Sequence, residues 1–212
     1  MRDFPVFSTE NGVGSLVLKE IPYSGIAYIK LLDASAPFEF LNECVEFCSM
    51  AGAQRIYASG HEILNSYPFY TAIWKMAACR DCIPQLKASL FPVTEKTAQQ
   101  WLQIYNQKMK GIPNSSYMSL RDMDQMVKMG GGYFVHENGT LLGIGRVSAD
   151  RIEVVVSISQ GAGERIVSTL VDALNAEQVQ LEVASVNEKA VALYERLGFV
   201  KTCEISSWYQ VK

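Results

Sequence analysis

Residues 154–167, "VVVSISQGAGERIV", run from an apolar strand pattern through a glycine-bearing turn into a helix pattern. A helix that opens this way leaves its first N–H groups without intrahelical partners. They converge where the macrodipole places about half a positive charge. That is chemistry for holding a phosphate. Gly161 and Gly163 let the backbone come close to an anion and Arg165 adds charge at the rim, although glycine also serves merely to turn a tight corner. No Gly-Lys-Ser/Thr follows, and the third glycine of a dinucleotide fingerprint is missing. A second set of residues carries protons. Glu182 stands on a strand pattern, and Tyr194, twelve positions on, falls on the apolar face of the next helix. A carboxylate can take up a proton, and a phenol can give or share one. Glu153, on the strand before the glycine turn, is a second carboxylate, with Asp150 and Arg151 beside it.

The elements that must position these residues follow from periodicity. "YFVHE" and "TLLGIGRVS" alternate as strands around Asn138-Gly139, a pair suited to the positive φ values of a two-residue hairpin turn. "RIEVVVSIS" is apolar on both sides over Val154, Val155 and Val156, as a central strand must be. Ile166, Val167, Leu170, Val171 and Leu174 form one helical stripe behind the glycine turn. Asn187 is an N-cap for a helix whose face holds Ala190, Leu193, Tyr194 and Leu197, and Gly198 suits its C′ position. Upstream, a short strand and two helices are expected, the second opened by Ser119 and stopped by three glycines. From about residue 86 the order is therefore β-α-α-β-β-β-α-β-α-β.

Several function classes are excluded by composition. The net charge is −3, and no Lys/Arg run is interleaved with aromatics, so no nucleic-acid partner is expected. No apolar stretch approaches the ~20 residues of a membrane span, and the N-terminus lacks a basic and apolar leader pattern; no membrane partner is expected and cytoplasm is the expected compartment. Five cysteines favour reduced thiols. Cys79 and Cys82 are expected in a strand with side chains on opposite faces, which is wrong for one metal ion, so no metal is expected.

The first half echoes the second. A shift of 126 residues lays "SLVLKEIPYSGIAYIKLLD" over "LLGIGRVSADRIEVVVSIS" and "FLNECVEFC" over "IVSTLVDAL". Cys44 and Cys48 then occupy the places of Leu170 and Leu174, His61 that of Asn187, and Pro68 that of Tyr194. The counterpart of the glycine turn is "DASAPFE", with proline in place of Gly163, which removes an N–H that an anion would use. The organisation expected is a partial, degenerate copy over 1–85 and a complete domain over 86–212.

The order of elements, the Gln160-x-x-Gly163 turn and "LEVASVNEKAVALYERLGF" together resemble the GCN5-related N-acetyltransferase (GNAT) superfamily over residues 86 to 212. The resemblance implies an α/β fold with a mixed, mostly antiparallel central sheet flanked by helices, and acetyl transfer from acetyl-CoA to a primary amine of a small molecule or peptide. It implies that the amides of Gln160, Gly161, Ala162, Gly163, Glu164 and Arg165 hold the CoA pyrophosphate. Arg165 stands where the family usually has a small residue. It further implies that the pantetheine arm pairs with Val154, Val155 and Val156 and bonds Asn187, and that Glu182, with Glu153 as its competitor, is the base and Tyr194 the acid. Asn114, Ser115 and Tyr117 lie where the family places substrate contacts. Each has a plainer reading: Tyr194 as core, Glu182 as a solvated strand residue, Asn187 as a helix cap alone. The alternative function is an inactive CoA-binding or interaction protein of the same fold, and pairing into a homodimer is left open.

Overall fold

The computed structural model describes residues 5–113 and 115–212. In chain order its elements are β1 (Val6–Thr9), β2 (Gly12–Val17), α1 (Ile21–Ser24), β3 (Ile26–Ala34), α2 (Pro37–Met50), β4 (Arg55–Ser59), β5 (Phe69–Cys79), β6 (Ser89–Pro92), α3 (Ala98–Lys108), α4 (Leu120–Met129), β7 (Gly132–Glu137), β8 (Thr140–Ser148), β9 (Arg151–Ser157), α5 (Gly163–Asp172), β10 (Gln178–Ala184), α6 (Glu188–Arg196) and β11 (Val200–Gln210). From β6 onward this is the order that the sequence implies. Two compact units result, Trp74–Cys203 and Met1–Ile73 with Glu204–Lys212.

In the unit Trp74–Cys203 the sheet order is β5-β10-β9-β8-β7-β6. Local chemistry fixes its meander. Asn138 and Gly139 both take positive φ, 48° and 80°, as the hairpin between β7 and β8 requires. Ser119 caps α4 with a reciprocal bond to Asp122, and Gly130 ends it. The sheet has an apolar layer on each face. Ile166, Val167, Leu170 and Val171 of α5 join Tyr194 and Leu197 of α6 in one cluster. Trp101 and Tyr105 of α3 and Met123 and Met126 of α4 cover Ile144, Val154 and Val156 in the other. At ~25 cal/mol per Å² of apolar surface removed from water, these two layers are what hold the strands in register.

The ladder between β8 and β9 is interrupted. Arg146 is opposite Val154, but Val147 is opposite Ile152, so Glu153 is an extra residue with no partner across the ladder. Such a bulge reverses which face the following side chains occupy. Ile152 accordingly belongs to the α5 layer, whereas Val154 and Val156 belong to the α3/α4 layer.

The unit Met1–Ile73 with Glu204–Lys212 repeats the pattern. Its strands follow the order β1-β2-β3-β4-β11, with β3 and β4 parallel as β9 and β10 are. Phe40, Leu41, Cys44 and Cys48 of α2 pack on Ile29, Ile56 and Ala58. Cys44 and Leu170, matched by the 126-residue shift, are both fully buried. On the face opposite α2, Tyr57 stacks on Tyr70 at 3.9 Å and lies beside Tyr28. The last strand of each repeat changes unit: β5 neighbours β10, and β11 pairs with β4 at Tyr209 and Gln210.

Candidate active site

The corner that opens α5 is built from hydrogen bonds made upstream of it. Ile158 and Ser159 donate their N–H groups to the Leu142 carbonyl, and the Ser159 hydroxyl bonds the Leu141 carbonyl at 3.2 Å. Gly161 then turns with φ of 76°, a conformation that costs an L-residue about 1–2 kcal/mol. Ala162 occupies the N-cap without any side-chain cap. The N–H groups of Gly161, Gly163, Glu164 and Arg165 make no hydrogen bond among the described residues, whereas Ala162 donates to Ser159 and Ile166 to Ala162. A Cβ on Gly161 would meet nothing within 4 Å, so the corner is open on that side; a Cβ on Gly163 would lie 2.9 Å from Leu193 of α6.

The side chains of the first turn are committed elsewhere. Arg165 pairs with Glu137 at the end of β7, and Glu164 pairs with Arg196 at 2.9 Å. The Arg165 guanidinium therefore neither fills the corner nor adds net charge there. The field at the corner comes from backbone dipoles, as an anion site needs.

β9 and β10 run parallel but pair only at Gln180–Arg151 and Leu181–Ile152. Beyond those rungs the strands part, so the backbone of Val154, Val155 and Val156 has β8 on one side and no β10 partner on the other. An extended chain can add to such an edge as a further strand. Glu153 and Glu182 stand at the point of parting. Leu181 and Val183 belong to the α5 layer, which turns Glu182 to the opposite face. There it faces Arg151 at 3.7 Å. Glu153 approaches Arg146 at 2.8 Å, without the alignment of a hydrogen bond. Asp150 is paired with Arg151, so the charge cluster expected around Glu153 instead serves Glu182.

Tyr194 lies on the other face, within the α5/α6 layer, with its ring edge-on to Phe199 at a centroid distance of 5.9 Å. Burial pushes its phenol up to about 12. The residue is 9% exposed, and its oxygen is not among the buried side-chain atoms that lack a partner. Asn187 caps α6, its side chain accepting from the Ala190 N–H at 3.4 Å, a long bond that leaves its amide NH2 uncommitted.

The counterpart corner in the other unit has fewer donors to offer. The N–H groups of Ser35 and Ala36 both donate to the Asn11 carbonyl, and Pro37, at the register of Gly163, has no N–H to offer. His61 does take the role of Asn187: its Nδ1 accepts from the Ile63 N–H and caps a short 3-10 turn.

Of the residues expected to touch an acceptor, Asn114 lies outside the described residues. The Ser115 hydroxyl bonds the Met109 and Ile112 carbonyls at 2.7 and 2.5 Å and so closes the turn after α3. Tyr117 is half-buried in the segment leading to α4. A cavity of about 260 Å³, bounded in part by Gly130, Tyr133, Arg146 and Ser148, lies toward the C-terminal end of α5, away from the glycine corner. Arg146 and Glu137 were not identified from the sequence. Both act as partners to residues that were, and strand alternation gives no sign of a long-range ion pair.

The expectation for Cys79 and Cys82 is corrected. The strand ends at Cys79, and Arg80–Cys82 form a 3-10 turn, so the two side chains are not carried to opposite faces of a sheet. Both thiols are exposed.

Residues 96–199 match the model of the Acetyltransferase (GNAT) family. The chain is similar to a putative acetyltransferase from Pyrococcus horikoshii, with 14% identity and a TM-score of 0.61 over 95% of this chain and 70% of that one. A GCN5-related N-acetyltransferase from Sphaerobacter thermophilus gives 12% identity and a TM-score of 0.59 over 93% and 75%. A tandem GNAT protein from the clavulanic acid biosynthesis pathway gives 12% and 0.54 over 94% and 78%. At these identities the likeness is one of fold. No curated protein matches the chain.

Proposed function

Since residues 96–199 belong to the GNAT acetyltransferase family, we propose that the protein transfers an acetyl group from acetyl-CoA to a primary amine of a small molecule or peptide. The observation that carries this reading is the open corner of four unpartnered amides at Gly161, Gly163, Glu164 and Arg165, set beside two parallel strands that part after two rungs. The corner suits a diphosphate and the parted edge suits the amide-bearing arm behind it.

The co-substrate supplies an activated acetyl thioester. The residues of the chain do the rest. Backbone amides at the corner hold the diphosphate, the open edge of Val154–Val156 aligns the arm, and the Asn187 amide is placed to bond it. An amine with a pKa of roughly 8 to 10.4 is mostly protonated near neutrality and must lose a proton to attack. Glu182 takes that proton through a water. Glu153 is paired more closely, with Arg146 at 2.8 Å, than Glu182 is with Arg151 at 3.7 Å.

Tyr194 works from the opposite face. A phenol near 12 would give its proton to an alkyl thiolate, near the cysteine value of about 8.5, only at a cost of roughly 5 kcal/mol. It therefore donates a hydrogen bond to the leaving sulfur instead of surrendering the proton. Such a bond still stabilises developing charge in a site sheltered from water.

The test is acetyl-CoA-dependent thiol release across a panel of primary amines. Turnover with at least one amine, lost in Glu182→Gln, supports the reading. Cofactor binding with no turnover on any amine would favour the inactive CoA-binding alternative.

A further inference from the structure

The thiols of Cys79 and Cys82 take no part in the chemistry above. Cys79 closes β5 and Cys82 closes the 3-10 turn that follows, with the Ile83 N–H donating to the Arg80 carbonyl at 3.2 Å. Cys79 is extended, with ψ of 130°, and stands at the N-cap of the single turn that Cys82 ends. The ends of a four-residue turn have Cα atoms within about 7 Å, and a disulfide needs roughly 4.4–6.8 Å. Both side chains are exposed and unbonded to each other. They already interact: a hydrogen bond with Cys79 raises the Cys82 thiol above its ordinary value. Their surroundings are fixed. The Arg80 N–H donates to the Glu177 carbonyl at 2.9 Å, just ahead of β10, and Ile83 is buried in the same layer as Tyr194 and Phe199.

We propose that Cys79 and Cys82 are a redox-active dithiol that closes to a disulfide by exchange with a low-molecular-weight disulfide such as oxidised glutathione. One thiolate of the pair attacks a sulfur of the small disulfide, forming a mixed disulfide and releasing one small thiolate. The second protein thiolate attacks the protein-bound sulfur of that mixed disulfide and expels the other. The protein loses two protons and two electrons, and one small disulfide becomes two small thiols. The same steps in reverse, driven by reduced glutathione, reopen the pair. Two exposed thiols at the two ends of one turn favour the second attack, because it is intramolecular. The buried pair Cys44 and Cys48 cannot take part, since no small disulfide reaches them.

The experiment treats the full chain with oxidised glutathione, quenches with acid, alkylates free thiols and maps peptides by mass spectrometry. The peptide spanning both residues is expected to be two hydrogens lighter, with neither alkyl group nor glutathione, and to revert with reduced glutathione. Exposed Cys203 serves as internal control and is expected to carry glutathione alone. In Cys79→Ser or Cys82→Ser the remaining cysteine is expected to keep a stable glutathione adduct, whereas Cys203→Ser keeps the internal bond. A wild-type chain that retains glutathione on Cys79 or Cys82, that leaves both free while Cys203 is modified, or that links either to Cys203 overturns the proposal.

Discussion

Glu153 and Glu182 each stand one residue beyond the last paired rung of β9 and β10, and each has its own arginine, Arg146 at 2.8 Å and Arg151 at 3.7 Å. The bulge at Glu153 and the end of the β10 ladder thus bring two carboxylates to the head of the same opening. Their different tethers suit them to different duties in the proposed reaction.

Replacing Glu182 by Gln removes the proton acceptor and little else. It is expected to lower kcat by about 10²–10⁴ with the apparent affinity for acetyl-CoA unchanged. Glu153→Gln leaves a half-buried Arg146 without its counter-charge and is expected to cost about 1–3 kcal/mol of stability with a smaller loss of turnover. Steady-state kinetics and urea unfolding of the two variants check the division. Equal effects on both quantities would refute it.

Tyr194 makes two predictions with one substitution. In the proposed reaction Tyr194→Phe is expected to lower kcat, since the leaving sulfur would lose its hydrogen-bond donor. It also changes alkaline stability. The phenol is near 12 when folded and about 10 when unfolded, so the folded state holds the proton more tightly. Its contribution is fully present below about pH 10 and is lost as pH rises toward about 12, a span worth roughly 3 kcal/mol. Chemical unfolding measured from neutrality to strongly alkaline pH should show a shallower decline in the Phe variant. Half-buried Tyr28 and Tyr70, whose phenols are also raised, remain in both proteins and contribute to the residual slope.

The two glycines of the corner fail in different ways. Gly161→Ala places a side chain in open space at φ of 76°, so it should cost about 1–2 kcal/mol of stability with a modest change in CoA affinity. Gly163→Ala brings a methyl within 2.9 Å of the tip of the Leu193 side chain, which must turn aside, so it should weaken CoA binding by no more than about tenfold, about 1.4 kcal/mol. Arg165→Ala, which breaks a partly exposed pair with Glu137, should cost about 1 kcal/mol. Calorimetric titration with CoA and thermal melts of all three variants separate these outcomes.

Thiol reagents should divide the five cysteines into two classes. Burial pushes Cys44 up to about 12 and Cys48 up to about 11, so both should stay unreactive at neutral pH until the protein unfolds. Cys79, Cys82 and Cys203 are exposed and should react before unfolding, Cys82 the more slowly because its thiol is raised. A time course of thiol release from an aromatic disulfide reagent, with and without denaturant, measures the split.

What could be read from the sequence was what local chemistry dictates. Asn138-Gly139 demanded positive φ, Ser119 and Asn187 had to cap, and the stripe from Ile166 to Leu174 had one face to bury. The pairing of Cys44 with Leu170 across the repeat was legible because burial selects apolar volume at matching helical positions. Glu153 as a bulge was not legible, because an extra residue shows only against the partner strand's register. The same holds for the ion pairs of Arg146 and Arg165, which span residues far apart in sequence. Cys79 and Cys82 were misplaced because an apolar run does not reveal where a strand stops.

Amide chemical shifts during a CoA titration report directly on the backbone amides at the head of α5, where the diphosphate is proposed to bind. Saturable shifts are expected at Gly161, Gly163, Glu164 and Arg165, with Ser35 and Ala36, whose N–H groups are already bonded to Asn11, left unmoved. A titration that leaves those four amides unchanged while CoA binds elsewhere, or that moves Ser35 and Ala36 equally, contradicts that placement.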